Sequence, residues 1–106
     1  MTRTAGLVAI AFGLGAPALG TPALAADADN GGRLAQRWCA SCHIVAPDQQ
    51  QASADAPPFA GVARTPGFNA QRIAFFLLEP HPKMPAMALS RRDAEDIAAY
   101  IATLGR

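Results

Sequence analysis

Five consecutive residues, Cys39-Ala40-Ser41-Cys42-His43, hold both cysteines of the chain and one of its two histidines. Two residues between the thiols is the spacing at which they can reach the two vinyl groups of one porphyrin edge and form thioethers. The histidine that follows then lies under the ring and can offer an imidazole nitrogen to the iron. We read the stretch as a c-type haem attachment site, with Cys39 and Cys42 as covalent anchors and His43 as proximal ligand. Three other chemistries use such a pair. A redox dithiol sits at a helix start after a strand within a βαβ pattern, and no strand pattern surrounds this one. A zinc site needs four ligands, and only His81 is left to add one. A structural disulfide would close too small a loop to stabilise much and would leave His43 without a purpose.

If His43 takes one face of the iron, the other is left open or filled. Met84, Met87 and His81 are the candidates. They follow or lie within Pro80-His81-Pro82-Lys83-Met84-Pro85, whose prolines lock φ and remove donors, so the segment is neither helix nor central strand. A stiff loop of this kind can present one side chain inward. A thioether on the iron raises its potential and suits it to passing single electrons. Pro82 and Pro85 restrict Met84 most, and Met84 is the expected ligand, with Met87 and His81 as alternatives. A methionine in a small protein is otherwise most often core filler. A ligating histidine also needs a partner for its second ring N–H. The carbonyl of Pro57, in Ala56-Pro57-Pro58-Phe59-Ala60-Gly61, is the candidate, the alternative being a plain loop corner.

The elements that must position these groups are helical. Leu34, Ala35 and Trp38 share one face of a helix expected over Gly31 to Cys42, which delivers the cysteines from its C-terminal end. Trp38 is expected at the haem edge or a helix interface, where an aromatic with a polar N–H fits. Residues 44 to 58 lack periodicity and read as an irregular loop, Gln49-Gln50-Gln51 being too short for a low-complexity tract. Asn69 can cap a helix running to about Leu78, with Ile73, Phe76 and Leu77 as its buried stripe, widened by Phe75 and Leu78. Ser90 opens the last helix with Asp93 as capping-box partner, while Glu95 and Asp96 lie near its positive end. Ile97, Tyr100, Ile101 and Leu104 form its apolar face, and Ala94, Ala98 and Ala102 allow close packing.

The chain has 106 residues, 51% hydrophobic and 16% charged, which is apolar for one small domain. The excess lies at the N-terminus. Arg3 is followed by an uncharged run from Ala5 to Ala26, and Ala23-Leu24-Ala25 puts small residues where a signal peptidase reads. Residues 1–25 are therefore expected to be a secretory signal peptide and residues 26–106 the haem domain. An uncut membrane anchor is the alternative, weakened by Pro17, Pro22 and the glycines between Gly6 and Gly20. Without residues 1–25, eight basic residues face eight acidic ones. No basic patch supports nucleic-acid binding. A domain this small is expected to need a staple, and a covalent haem would be one.

The Cys-X-X-Cys-His near the mature N-terminus, the Ala-Pro-Pro-Phe-Ala-Gly segment midway, and Met84-Pro85 shortly before the Ser90 to Tyr100-Ile101 helix together resemble a small bacterial class I cytochrome c, across essentially the whole of residues 26–106. The resemblance implies an all-α fold of three to four helices wrapped round one covalent haem c, with terminal helices crossing near Gly31 and Tyr100. It implies His43 and Met84 as axial ligands, and electron transfer in the periplasm between transient protein partners, as a monomer with no membrane span after cleavage and no substrate turnover of its own. Pro57 matches the family proline whose carbonyl orients the proximal histidine, although Ala56 stands where the family usually has glycine. Arg64 lies near a family arginine that meets a haem propionate, at a different spacing. A haem subunit held in a dehydrogenase or oxidase complex is the alternative, followed by an open-iron enzyme or gas sensor, for which no distal acid–base pair is evident beyond His81.

Overall fold

Asp27 starts the first helix by accepting a hydrogen bond from the Asn30 N–H, and the helix, α1, runs Ala28–Trp38. It begins earlier than expected because Asp27 is its N-cap. It also ends earlier than expected: Cys39 to Cys42 form turns, so the cysteines follow the helix rather than finish it. Residues 2, 5–20, 24–53, 56–79 and 83–106 are described by this computed structural model, and Ala23 and His81 lie outside them. Pro58 precedes a short helix, α2, Phe59–Ala63. Asn69 caps α3, Ala70–Leu78, through the Arg72 N–H. Ser90 and Asp93 form a complete capping box on α4, Arg91–Thr103. The described residues contain no strand, and the fold is all-α.

Helix α4 is the hub, packing on α1, α2 and α3. Its contact with α1 depends on Gly31. A Cβ there would stand 1.9 Å from the Asp96 carbonyl oxygen and 2.9 Å from the Ile97 nitrogen, so the two backbones touch where any side chain would separate them. One residue on, Gly32 faces the Tyr100 ring. The terminal helices thus cross where expected, with Asp96 and Ile97 as the closest point. Asp96, only 1% exposed, closes this corner. Its carboxylate accepts from the Asp27 N–H at 2.7 Å and from the Asn30 side-chain amide at 2.8 Å, which satisfies a charge that would otherwise be costly to bury. It therefore belongs to the start of α1 rather than only to its own helix dipole.

The main core joins Ala35, Cys39, Val45, Phe59, Ile97 and Ile101. A second cluster packs Ala74 of α3 against Ala94 and Ala98 of α4, flanked by Ala70, Ile73 and Leu77. This corrects the expected α3 stripe. At 100° per residue the face toward α4 is Ala70, Ile73, Ala74 and Leu77, which leaves Phe75 64% and Phe76 50% exposed, with Leu78 also at the surface. Trp38 lies outside both clusters, 37% exposed, with the Arg37 guanidinium 5.3 Å from its ring centroid. Residues 5–20 form no helix and are exposed throughout. No helix among the described residues is long and apolar enough to cross a membrane.

Candidate haem attachment site

Cys39 follows directly on α1, its N–H bonded to the Ala35 carbonyl, and its sulfur belongs to the main core. Cys42 is exposed, and both thiols are free. Between them the chain turns tightly, with the N–H groups of Cys42 and His43 both donating to the Cys39 carbonyl. The thiols differ in environment. Burial, and then the nearby Cys42, push the Cys39 thiol up to about 11. Hydrogen bonds from Ser53, then Ser41, lower that of Cys42. Among the described residues no three His, Cys, Asp or Glu side chains converge to hold a bare metal ion.

The His43 ring is tied on one side. Its Nδ1 lies 2.6 Å from the Pro57 carbonyl oxygen, and since a carbonyl only accepts, Nδ1 carries the proton. In the neutral imidazole the Nε2 lone pair is then free for a metal. Buried Phe59 holds the ring from another direction, centroids 5.1 Å apart and tilted at 48°. The Phe59 N–H also donates to the Ile44 carbonyl. Segments 43–44 and 57–59 therefore grip each other twice, once by side chain and once by backbone. The bond from His43 to Pro57 is the one the sequence led us to expect.

These residues fit a haem. Two unpaired thiols with two residues between them, one opening from an apolar core, can anchor a flat apolar group. The adjacent imidazole has its tautomer fixed for metal binding. Met84 is half-buried beside a small cleft of about 70 Å³ shared with Leu77, Leu78, Pro85 and Met87 at the end of α3. The lining of that cleft includes none of the attachment-turn residues. Arg64 is exposed and caps α2 by its backbone. A larger groove, about 670 Å³, lies between α3 and α4 along Phe75, Leu78 and Arg91, and contains none of these residues.

The profile of a family described as cytochrome C oxidase, cbb3-type, subunit III matches residues 26–101. Cytochrome c-552 of Bradyrhizobium diazoefficiens is 65% identical over 82 residues, covering 77% of this chain and 79% of that protein. The chain belongs to this cytochrome c family. It is a small monohaem class I cytochrome c, an electron-transfer protein whose cofactor is covalently bound haem c. No solved structure matches it.

The residue that sequence reasoning missed in this cytochrome is Gln49. Its side chain bonds four backbone groups around the attachment turn. A lone polar residue in an irregular loop carries no periodic signal that could have revealed this.

Proposed function

We propose that this cytochrome is a periplasmic shuttle, cut from a signal peptide over residues 1–25, that carries single electrons between transient protein partners as a monomer and turns over no substrate. Cys39 and Cys42 hold the haem by thioethers, and His43 and Met84 are the axial ligands. Haem supplies the one-electron couple. The protein contributes placement: the Pro57 carbonyl fixes the His43 tautomer and ring, Phe59 limits its tilt, and the core around Cys39 excludes water from one side of the attachment.

The observation that carries this reading is the 2.6 Å bond from His43 to Pro57 beside two free thiols. A histidine serving only as packing has no need of a carbonyl that leaves its Nε2 lone pair bare. The family match beginning at residue 26 supports the division of the chain there. The wording of that family's description points to the second reading, a subunit held in an oxidase. Against it stands the likeness to a cytochrome c-552 over most of both chains.

The test is the absorption spectrum of the protein purified from periplasm in both redox states, with haem staining after full denaturation. Haem should stay on the wild-type chain and be lost when both Cys39→Ser and Cys42→Ser are present. Haem released by denaturation of the wild type would sink the attachment. Native purification in a stable complex rather than as a monomer carrying one haem would select the subunit reading.

A further inference from the structure

The backbone around His43 is held by a side chain that touches neither the imidazole nor the thiols. The Gln49 Oε1 accepts from the Val45 N–H at 2.9 Å. Its Nε2 lies 2.9 Å from the Ala40 carbonyl, 2.7 Å from that of His43 and 3.0 Å from that of Gln51. The partners admit one orientation of the amide: carbonyls can only face the NH2 group, and an N–H can only face the oxygen. Two amide hydrogens are shared among three carbonyls, so one is bifurcated.

We infer that Gln49 is a positioning residue for the axial histidine: by holding the His43 carbonyl and the Val45 N–H, it sets the backbone on which the imidazole stands and so the orientation of the ring. The inference rests on His43 being a haem ligand.

Backbone groups on either side of the imidazole are tied in turn. The His43 N–H goes to Cys39, and the Ile44 carbonyl takes the Phe59 N–H. Val45, fully buried, has its N–H on Gln49 and its carbonyl on the Tyr100 hydroxyl at 2.5 Å. Without Gln49, the carbonyls of Ala40 and His43 and the N–H of Val45 lose these bonds together. The bond from His43 to Pro57 then becomes the main restraint on a ring whose backbone can rotate. Gln49 also joins the turn before His43 to the loop after it, since Ala40 and Gln51 lie on opposite sides of the ligand in sequence. A loop staple without influence on the ligand would not need to engage the ligand's own carbonyl.

The experiment uses ferric holoprotein. The pattern of hyperfine-shifted haem methyl resonances reports imidazole orientation, and amide exchange at Val45 reports the local backbone. Gln49→Ala should change the methyl pattern and speed Val45 exchange roughly tenfold, the loss of one net hydrogen bond. Gln49→Glu should perturb the pattern more strongly, because a carboxylate oxygen then faces three carbonyls. Ser90→Ala, which weakens α4 far from the turn, should lower the melting temperature and leave the pattern as in the wild type. A Gln49→Ala protein that only melts earlier, like Ser90→Ala, with the wild-type methyl pattern, would overturn the inference. So would a Gln49→Glu protein indistinguishable from wild type. The wild type alone gives a check that needs no variant: the Gln49 side-chain NH2 should exchange slowly, and exchange at the rate of a free glutamine amide would also overturn it. A wild-type spectrum without histidine ligation would remove the His43 assignment itself, whereas intact ligation with unmoved variants removes only the role of Gln49.

Discussion

At the scale of single residues, the iron's second ligand decides the chemistry, because sulfur and nitrogen donors favour different oxidation states. Methionine sulfur favours the reduced iron relative to imidazole, so Met84→His should keep six-coordination and lower the midpoint potential in a redox titration. Met84→Ala should open the iron, and the ferrous protein should then bind carbon monoxide quickly where the wild type resists it. Met87→Ala should change neither the potential nor the ferric thioether-to-iron band. If Met87→Ala destroys that band and Met84→Ala preserves it, the ligand is three residues further on. The attachment reading rests on covalent chemistry, which dictates type and spacing together: Cys39, Cys42 and His43 stand at a spacing that can reach two vinyls and an iron. Pro57 was legible because proline's missing N–H leaves its carbonyl unclaimed by local pairing. Gln49 was not, since its role depends on four backbone groups whose convergence only the folded loop creates.

At the scale of elements, the caps were readable and the faces less so. Asn69 and the pair Ser90 and Asp93 act on N–H groups three residues away, so a local rule suffices. The α3 stripe held at Ile73 and Leu77 and missed at Phe76 and the flanking Phe75 and Leu78, because hydrophobicity was used to find the buried face, whereas the space beside α4 also takes Ala70 and Ala74. Phe75 and Phe76 were left outside. Gly31 lies at the tightest crossing, and Gly31→Ala should destabilise the holoprotein by about 3 kcal/mol in urea unfolding, since the neighbour at 1.9 Å is backbone and cannot swing aside. A loss below about 1 kcal/mol would show that α1 and α4 can part at little cost. Tyr100 ties α4 to the attachment loop through Val45. Burial, and then the negative charge of Asp48, raise its hydroxyl above the ordinary 10.0. The folded state therefore keeps the proton longer than the unfolded chain. The resulting stabilisation is complete below pH 10 and is lost as pH rises through the raised value. Tyr100→Phe should cost about 1 kcal/mol at neutral pH and should flatten the decline in stability above pH 10. An unchanged alkaline slope would show that other groups control it.

At the scale of the whole molecule, the helical domain begins at Asp27, and the reason is electrostatic. Asp96 lies buried across the α1–α4 corner and takes its two hydrogen bonds from the Asp27 N–H and the Asn30 amide, groups 69 and 66 residues away in sequence. No local pattern shows that an acid in α4 needs the first residues of the domain, and Asp96 read from sequence alone is one more acid near a helix start. The consequence concerns processing. A cut after Ala25 would leave Asp27 with an intact backbone N–H, so this corner would survive removal of residues 1–25. Mass spectrometry of the periplasmic protein should find a chain starting at or within a few residues of Ala26, and a membrane-bound chain retaining Thr2 would select the anchored alternative. Truncation tests the corner itself. A chain started at Ala26 should unfold in urea at the same midpoint as the full-length chain. One started at Gly31 removes Asp27 and Asn30 together and leaves a buried carboxylate without either donor. It should lose about 3 kcal/mol, the cost of stranding a buried charged group, and Asp96→Asn in the same truncated chain should recover part of that loss by removing the charge. Equal stability of the two chains would mean that water or another donor replaces the Asp27 and Asn30 groups, and that the domain begins later than Asp27.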